Sequence, residues 1–351
     1  MAAKYRVAII GCGRMGATID DEMGGFPYWV GPYAHAAGYA ACDETEIVAG
    51  VDRNEDKRQA FAERYGVPLA QMFADYREML EAIRPDIVSV TTHTPGHCEL
   101  SCAAAEAGVR GIFCEKPLAG SMAEADLMVE TARRHNVKTV VGTLRRWSPF
   151  WRKVREIVHS GEIGELREIV LLTGGSLLHT NSHFLDVARW IAGSEVAWAM
   201  GTLVGDLSAD ADKATASDHG GRGYMQFRNG VHLVLGGPAL YYALDFVCSG
   251  GMVRTANNGR DCWMWVPDPD VGRGFHKEVP FEKPEQASQT VGAIRDLIGA
   301  IESGGETSCT FEDARAALEM ALAMHISHRR GNVRVDLPLA GEDREFYVDA
   351  R

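Results

Sequence analysis

The chain has 351 residues, 46% apolar and 24% charged, a composition that makes no case for disorder, collagen or a coiled coil. At that length two domains are expected, because a single hydrophobic core stops growing at ~250 to 300 residues. Lys and Arg total 36 against 48 Asp and Glu, giving a net charge of -12, so no basic field exists to gather phosphate backbones and nucleic acid is not an expected partner.

The start, MAAKYRVAII, is too soon broken by glycine for a signal peptide, and no segment approaches the ~18 apolar residues of a membrane helix. A cytoplasmic location without a membrane partner is therefore expected. The eight cysteines (Cys12, Cys42, Cys98, Cys102, Cys114, Cys248, Cys262, Cys309) form no CxxC pair and read as reduced, buried thiols rather than a disulfide framework or a structural zinc site.

Residues 5–10 (YRVAII) form a β-rich apolar run ending in GCGRMG, which reads as a buried parallel strand turning into a helix. A second run, 46–51 (EIVAGV), closes on Asp52, and 56–65 has helical character until Gly66, Val67 and Pro68 stop it. Strands follow at 87–91, 111–114 and 137–142, separated by helices at 98–107, ending at Gly108, and from Ser121, whose spacing to Glu124 fits a capping box, to about His135. Strands alternating with helices through the first ~145 residues imply a doubly wound parallel sheet.

The pattern then changes to a helix at 149–159, a strand at 166–173, a helix at 183–191 and a series of strand-like segments without intervening helices. This is α+β organisation. Arg228, Asn229 and Gly230 between YMQF and VHLVL mark a hairpin and hence an antiparallel sheet. Two amphipathic helices, about 287–301 and 311–327, come near the end, the second preceded by Thr310 with Asp313 three residues on as a capping pair. The division expected is 1–144 for the first domain and 145–351 for the second.

Gly11, Gly13 and Gly16 make GxGxxG between a strand and a helix, where glycines permit the tight turn and let a pyrophosphate approach helix N-terminal N–H groups. Asp52 ends the next strand, where a carboxylate accepts hydrogen bonds from an adenosine ribose diol and repels a 2′-phosphate, favouring NAD over NADP. Arg53 beside it is the countervailing residue, able to cover adenine or meet a phosphate. Asp52 lies 36 residues after Gly16, against a usual interval of ~20, so an insert is expected at about 18–33 (TIDDEMGGFPYWVGPY). An aromatic loop there suits a sugar site or a cover for it, and equally a surface or subunit contact.

GCGRMG, VDRN, TPGHCEL, CEKPL, GTLRRWSPF, GEIGEL and LLHTNSHFLDVARWIAG occur in this order, and with them the chain resembles the Gfo/Idh/MocA family, the relatives of glucose–fructose oxidoreductase and inositol dehydrogenase. The resemblance implies an N-terminal Rossmann domain and a C-terminal α+β domain with a large, mostly antiparallel open sheet. It also implies NAD(P)-dependent oxidation or reduction of a sugar, sugar derivative or cyclitol, in a homodimer or homotetramer. It extends the cofactor-binding set to Arg14, Met15, Arg53, Thr92, His97, Glu115 and Lys116. His97 has helix N-terminal capping as its other reading.

By the same resemblance Lys116 of the EKP motif approaches the nicotinamide and the reacting hydroxyl, where an ammonium would stabilise developing alkoxide charge. Glu115 would orient Lys116 or its backbone. His183 matches the family histidine that takes the hydroxyl proton. Four residues earlier many relatives carry Asp, but this chain has His179, which cannot hold His183 as a carboxylate would; His179 is left to contact substrate, share the proton or act as base itself. Asp186 follows the family's His-x-x-Asp pattern, for substrate contact or helix-start structure. Arg145 and Arg146 suit a substrate pocket through their forked donors, or salt bridging. Trp147 and Trp151 suit a sugar face, or the core.

His179 and His183 at i, i+4 would also suit a metal on a helix face, but no third ligand of suitable spacing is evident beyond Asp186 and His219, and no metal is expected. Two other functional readings stand beside the dehydrogenase. One is an NAD-dependent glycosidase working by transient oxidation and elimination, and the other a non-catalytic NAD-binding sensor.

Overall fold

The structure, a computed structural model, describes residues 4–25, 29–205, 207, 215–237 and 242–350. Phe26, Pro27 and Tyr28 of the expected insert lie outside the described residues. The chain forms two compact units, one holding the residues up to Trp147 together with Ala287–Arg315, the other Ser148–Gln286 and Ala316–Ala350. The sequence reading expects a single cut at 144/145; instead the segment from Ala287 returns to the first unit.

The first unit contains β1 (Tyr5–Ile10), α1 (Ile19–Met23), α2 (His35–Ala40), β2 (Thr45–Val51), α3 (Glu55–Tyr65), β3 (Met72–Phe73), α4 (Tyr76–Ile83), β4 (Ile87–Val90), α5 (His97–Glu106), β5 (Gly111–Cys114), α6 (Met122–Arg134) and β6 (Lys138–Val141). Among the described residues its sheet has the order β3-β2-β1-β4-β5-β6, parallel throughout. The order reverses between β1 and β4, the point at which doubly wound folds bind ligands beyond the carboxyl ends of the strands. Val7, Ala8, Ile9, Ile87, Val88 and Val90 are fully buried, as expected of strands covered on both faces, and full burial of each valine or isoleucine contributes roughly 1.5–3 kcal/mol.

The Ser121 cap of α6 is present, its Oγ accepting from Glu124 N at 3.3 Å, while Glu124 Oε2 reaches past the cap residue to accept from Gly120 N at 3.1 Å. The helix after the glycine loop opens as a π-turn over Arg14–Thr18, continues as α1 and stops. Asp20 then accepts from Tyr33 N (2.7 Å) and Ala34 N (2.9 Å), and these bonds across the insert set the start of α2.

The second unit contains α7 (Pro149–Ser160), β7 (Leu166–Leu172), α8 (Ser182–Ala192), β8 (Val196–Val204), β9 (Thr215–Ser217), β10 (Gly220–Phe227), β11 (His232–Gly236), β12 (Ala243–Cys248), β13 (Gly251–Ala256), β14 (Asp261–Pro267) and β15 (His276–Val279). After it, α9 (Gln289–Ser303) belongs to the first unit, α10 (Phe311–Arg329) is divided between the units at Arg315, and β16 (Val335–Asp336) and β17 (Tyr347–Asp349) complete the second.

Helix α9 buries Ala293, Ile294, Leu297, Ile298 and Ala300. Side chains of this stripe pack where glycines leave room: a Cβ on Gly38 would meet Ile294 Cδ1 at 2.9 Å, and one on Gly111 would meet Leu297 Cδ1 at 3.2 Å. That packing is why the segment belongs to the first unit.

The larger sheet among the described residues has nine strands in the order β15-β14-β13-β12-β7-β11-β10-β8-β16. Only the β7/β11 pair is parallel, the others antiparallel. Ile169, Leu171, Met225, Leu233, Leu235, Leu244 and Phe246 line its buried face. The Asn-Gly junction is a three-residue hairpin: Phe227 N donates to Val231 O at 2.8 Å and Gly230 sits at φ 87°, the left-handed position that such a loop requires.

Candidate functional site

In the first unit, the glycine loop leaves β1 at the carboxyl edge of the sheet. Gly11 has φ 105°, and a Cβ on it would come within 2.9 Å of the Thr91 carbonyl carbon. A Cβ on Gly16 would overlap the Gly11 carbonyl oxygen, whereas one on Gly13 would meet only Lys57 Nζ at 3.5 Å. Two glycines are thus required by the turn and the third leaves its backbone open to a ligand. Thr91 Oγ1 donates to Gly11 O at 2.6 Å and ties the loop to the end of β4.

Asp52, just past β2, accepts from Cys12 N through Oδ2 (3.0 Å) and from Asn54 N through Oδ1 (2.9 Å). A carboxylate has about four acceptor positions, so both oxygens keep capacity for a ribose diol. Arg58 is directed at the carbonyl oxygens of Asp52 (2.7 Å) and Arg53 (3.2 Å). Arg53 is exposed, as is Arg14, which bonds Glu22 through Nε at 2.8 Å; Met15 is half-buried beside it. These residues fit an NAD-type dinucleotide: an open backbone at Gly13, closely packed glycines on either side, and a fixed carboxylate at the end of β2.

The next strand ends at the same edge to present Glu115 and Lys116. Glu115 is buried, and its Oε1 lies 2.9 Å from His35 Nε2. The His35 ring is fully buried, stacks on Phe113 at a centroid distance of 3.9 Å and places Nδ1 2.5 Å from Ser89 Oγ. Burial alone would push the Glu115 carboxyl up, but the His35 hydrogen bond and charge, with Lys116 and His97, hold it below the usual range. Its second oxygen accepts from Lys116 N at 3.2 Å. A Cβ on Gly142 would stand 2.7 Å from Glu115 Oε1, so that glycine makes room for the carboxylate. Lys116 is half-buried and precedes a cis bond to Pro117.

His97 is fully buried, with Nδ1 2.9 Å from Pro117 O and Nε2 3.0 Å from Thr92 O. It joins the turn after β5 to the loop after β4, where Thr92 is half-buried. Its place is structural in this unit, and burial lowers its pKa.

Arg146 and Trp147 are buried in the first unit. Arg146 Nη1 donates to Ser308 O (2.7 Å) and pairs with Asp313 Oδ1 (3.3 Å), and Trp147 Nε1 donates to Asp296 Oδ2 (3.0 Å). These contacts fasten the returning 287–315 segment. Arg145 is half-buried. Trp151 is buried core of the second unit.

In the second unit the segment 174–181 between β7 and α8 carries His179 and leads into His183. It folds on itself: Asn181 N donates to Ser176 O, and Asn181 Nδ2 donates to Ser176 O, both at 3.0 Å. Leu177 N donates to His219 O at 2.8 Å, while Asp218 accepts from Leu178 N (2.9 Å) and His179 N (2.7 Å). His179 is exposed, His183 half-buried in the first turn of α8, and Asp186 fully buried one turn on. Among the described residues no group of three or more His, Cys, Asp or Glu is placed to hold a metal ion.

His35, Ser89, Asn181, Asp218 and His325 escape the sequence reading. The partners of His35, Ser89, Asp218 and His325 lie far away in the chain, where no local spacing marks them, while Asn181 bonds Ser176 O within its own loop.

Comparison with known proteins agrees with this arrangement. The family model described as an oxidoreductase family with an NAD-binding Rossmann fold, GFO_IDH_MocA, matches residues 5–143. The chain is 26% identical to myo-inositol 2-dehydrogenase of Thermotoga maritima over 343 residues, covering 91% of this chain and 94% of that protein. It is 30% identical to D-glucoside 3-dehydrogenase of Escherichia coli over 211 residues, 55% of each chain. The fold is similar to that of the aldose–aldose oxidoreductase of Caulobacter crescentus (TM-score 0.79, 20% identity, 95% of this chain and 100% of that one). It is similar also to a levoglucosan dehydrogenase in complex with NADH (TM-score 0.76, 20% identity, 96% and 100%). Residues 5–143 thus match the NAD-binding Rossmann domain of the Gfo/Idh/MocA oxidoreductase family, and over nearly its whole length the chain is similar to the inositol dehydrogenase named above.

Proposed function

We propose that the protein is an NAD-dependent dehydrogenase that reversibly oxidises a ring hydroxyl of a sugar, sugar derivative or cyclitol. The observation that carries this reading is the buried Glu115 that anchors the Lys116 backbone at the carboxyl edge holding the glycine loop. The relatives named above, a myo-inositol 2-dehydrogenase and a D-glucoside 3-dehydrogenase, support the substrate class.

NAD, when bound, supplies the hydride acceptor. Gly11, Gly13 and Gly16 admit its pyrophosphate, and Asp52 accepts from its ribose hydroxyls. The negative charge of Asp52 opposes a 2′-phosphate, which favours NAD over NADP.

The Lys116 ammonium stabilises negative charge developing on the substrate oxygen, and His183 takes the hydroxyl proton, with His179 as a second imidazole in contact with substrate or sharing that proton. Arg145 supplies donors to the other substrate hydroxyls. The half-exposed face of the nine-stranded sheet, where Met200 and Val204 are exposed, is the surface on which a second copy would pack in a dimer or tetramer.

The test is NADH absorbance with NAD or NADP against inositols, free sugars, sugar acids and glycosides, with free aglycone followed in parallel. NADH formed with a ring polyol and lost in Lys116→Ala supports the reading; full turnover by Lys116→Ala removes it. Aglycone release without net NADH would replace it with a glycosidase.

A further inference from the structure

We propose that Asp218 is the positioning residue for His179, acting through the backbone of the segment that carries the imidazole. The catalytic consequence rests on the dehydrogenase reading above.

Three observations carry the proposal, all within the second unit. First, the Asp218 carboxylate is spent on two consecutive amides, Leu178 N at 2.9 Å and His179 N at 2.7 Å. Two bonds to adjacent peptide units fix the planes on either side of the Leu178 Cα, the second of which carries the His179 N and Cα, and so hold the point from which the His179 side chain leaves the chain. Second, the flanking residues run beside the same segment. Leu177 N donates to His219 O at 2.8 Å, and Gly220 has no side chain because a Cβ there would lie 2.9 Å from Gly175 O. The two residues that follow Asp218 therefore run against the 175–179 backbone and keep the carboxylate beside it.

Third, Asp218 is supported from behind. His325 Nε2 of α10 lies 3.7 Å from Asp218 Oδ1, with side-chain exposures of 0% and 5%, an ion-pair distance shielded from water. Burial opposes the carboxylate, yet His325, the two amides and the Ser176 hydroxyl together hold its pKa below the ordinary aspartate value. An anion that accepts two N–H bonds while facing an imidazole is stronger and better directed than a neutral acceptor.

The sequence explains why such a device is useful. The chain has a second imidazole at position 179, where a carboxylate side chain would have oriented His183 directly. Here a carboxylate holds instead the backbone from which the His179 side chain springs. Misplacing a catalytic group by ~1 Å lowers rates by about a hundredfold.

The experiment uses the full chain with NAD and the polyol it oxidises. Asp218→Asn keeps the shape but replaces one acceptor oxygen with a donor facing a backbone N–H. Three readouts are taken. They are the ¹⁵N-histidine ring signals, with His179 assigned by their absence in His179→Asn, kcat and KM, and the same substitution in the His179→Asn background.

Expected are displaced His179 ring signals, a kcat about ten- to a hundredfold lower with the KM for NAD unchanged, and no further loss in the His179→Asn background. Undisturbed ring signals, an unchanged kcat, or an equal loss in both backgrounds overturns the proposal. If Asp218→Asn does not fold, His325→Gln relaxes the carboxylate from the other side. A smaller displacement of the same signals is then expected, and none refutes the idea. Should the unmodified chain turn over no polyol, the dehydrogenase reading fails by itself and the ring signals alone decide the positioning.

Discussion

His35 Nε2 lies 2.9 Å from Glu115 Oε1, and both side chains are almost completely buried. An ionised carboxylate only accepts, so this contact places a proton on Nε2 and leaves Nδ1 to the Ser89 hydroxyl. The pair joins the first residue of α2, directly after the insert, to the residue that holds the Lys116 amide.

His35→Ala should therefore act twice. Losing one partner of a buried pair leaves Glu115 uncompensated, a destabilisation of ~3 kcal/mol, to be read from urea unfolding. Turnover should fall as well, because the carboxylate that receives Lys116 N loses its anchor. Adding Glu115→Gln should restore part of the stability without restoring turnover. A His35→Ala protein as stable and active as the parent would show that the pair does neither.

The glycines of the fingerprint divide by role. Gly16→Ala drives a methyl into the Gly11 carbonyl oxygen, and overpacking against backbone costs about 1–3 kcal/mol; the thermal midpoint should fall before any cofactor is added. Gly13→Ala meets only the end of the flexible Lys57 side chain. Stability should stay within ~0.5 kcal/mol of the parent, while NAD affinity, followed by NADH fluorescence, weakens. Equal losses of stability in the two variants would refute the division.

The doubly wound sheet, the hairpin at Asn229-Gly230 and the capping pairs at Ser121 and Thr310 are legible because each is encoded within a few residues by period, glycine or a polar side chain. The α2 and α4 helices and the short β3 strand are not. α2 begins only where Asp20 receives the amides of Tyr33 and Ala34, a bond across a loop that no periodicity reports. Gly11, Gly16 and Asp52 are legible for the same local reason. Asp218 is not, because its meaning depends on amides 39 and 40 residues away. Arg146 and Trp147 show the converse: a family pattern suggests substrate, and long-range packing assigns them to Ser308, Asp313 and Asp296.

That assignment separates neighbouring residues in an experiment. Trp147→Phe removes the indole donor from half-buried Asp296 Oδ2, which keeps Ser308 N at 2.6 Å; the lost hydrogen bond, ~0.5–1.5 kcal/mol, should lower stability while leaving the KM for substrate alone. Arg145→Ala should change stability by less than ~0.5 kcal/mol. It should raise the KM for the polyol about tenfold or more, as expected for a lost charge-assisted hydrogen bond of ~1.5–3 kcal/mol. Steady-state kinetics beside thermal melts of both variants decides it, and a Trp147→Phe protein with normal stability and a raised KM would return that residue to the substrate.

The last prediction concerns pH. His97 is fully buried, and burial holds its pKa below the ordinary value of 6.5. As pH falls through 6.5 the unfolded chain takes up a proton that the folded chain still refuses, so the unfolded state binds more protons and stability declines with acidification. The His97 contribution is thus fully present above the ordinary value and is lost progressively until the pH reaches the depressed folded value. His97→Gln removes that titration. Unfolding free energies measured between about pH 5 and pH 8 should fall toward the acid side in the parent, and less steeply in the variant. Parallel curves for the two proteins would mean that the buried ring between Thr92 and Pro117 is already charged in the fold.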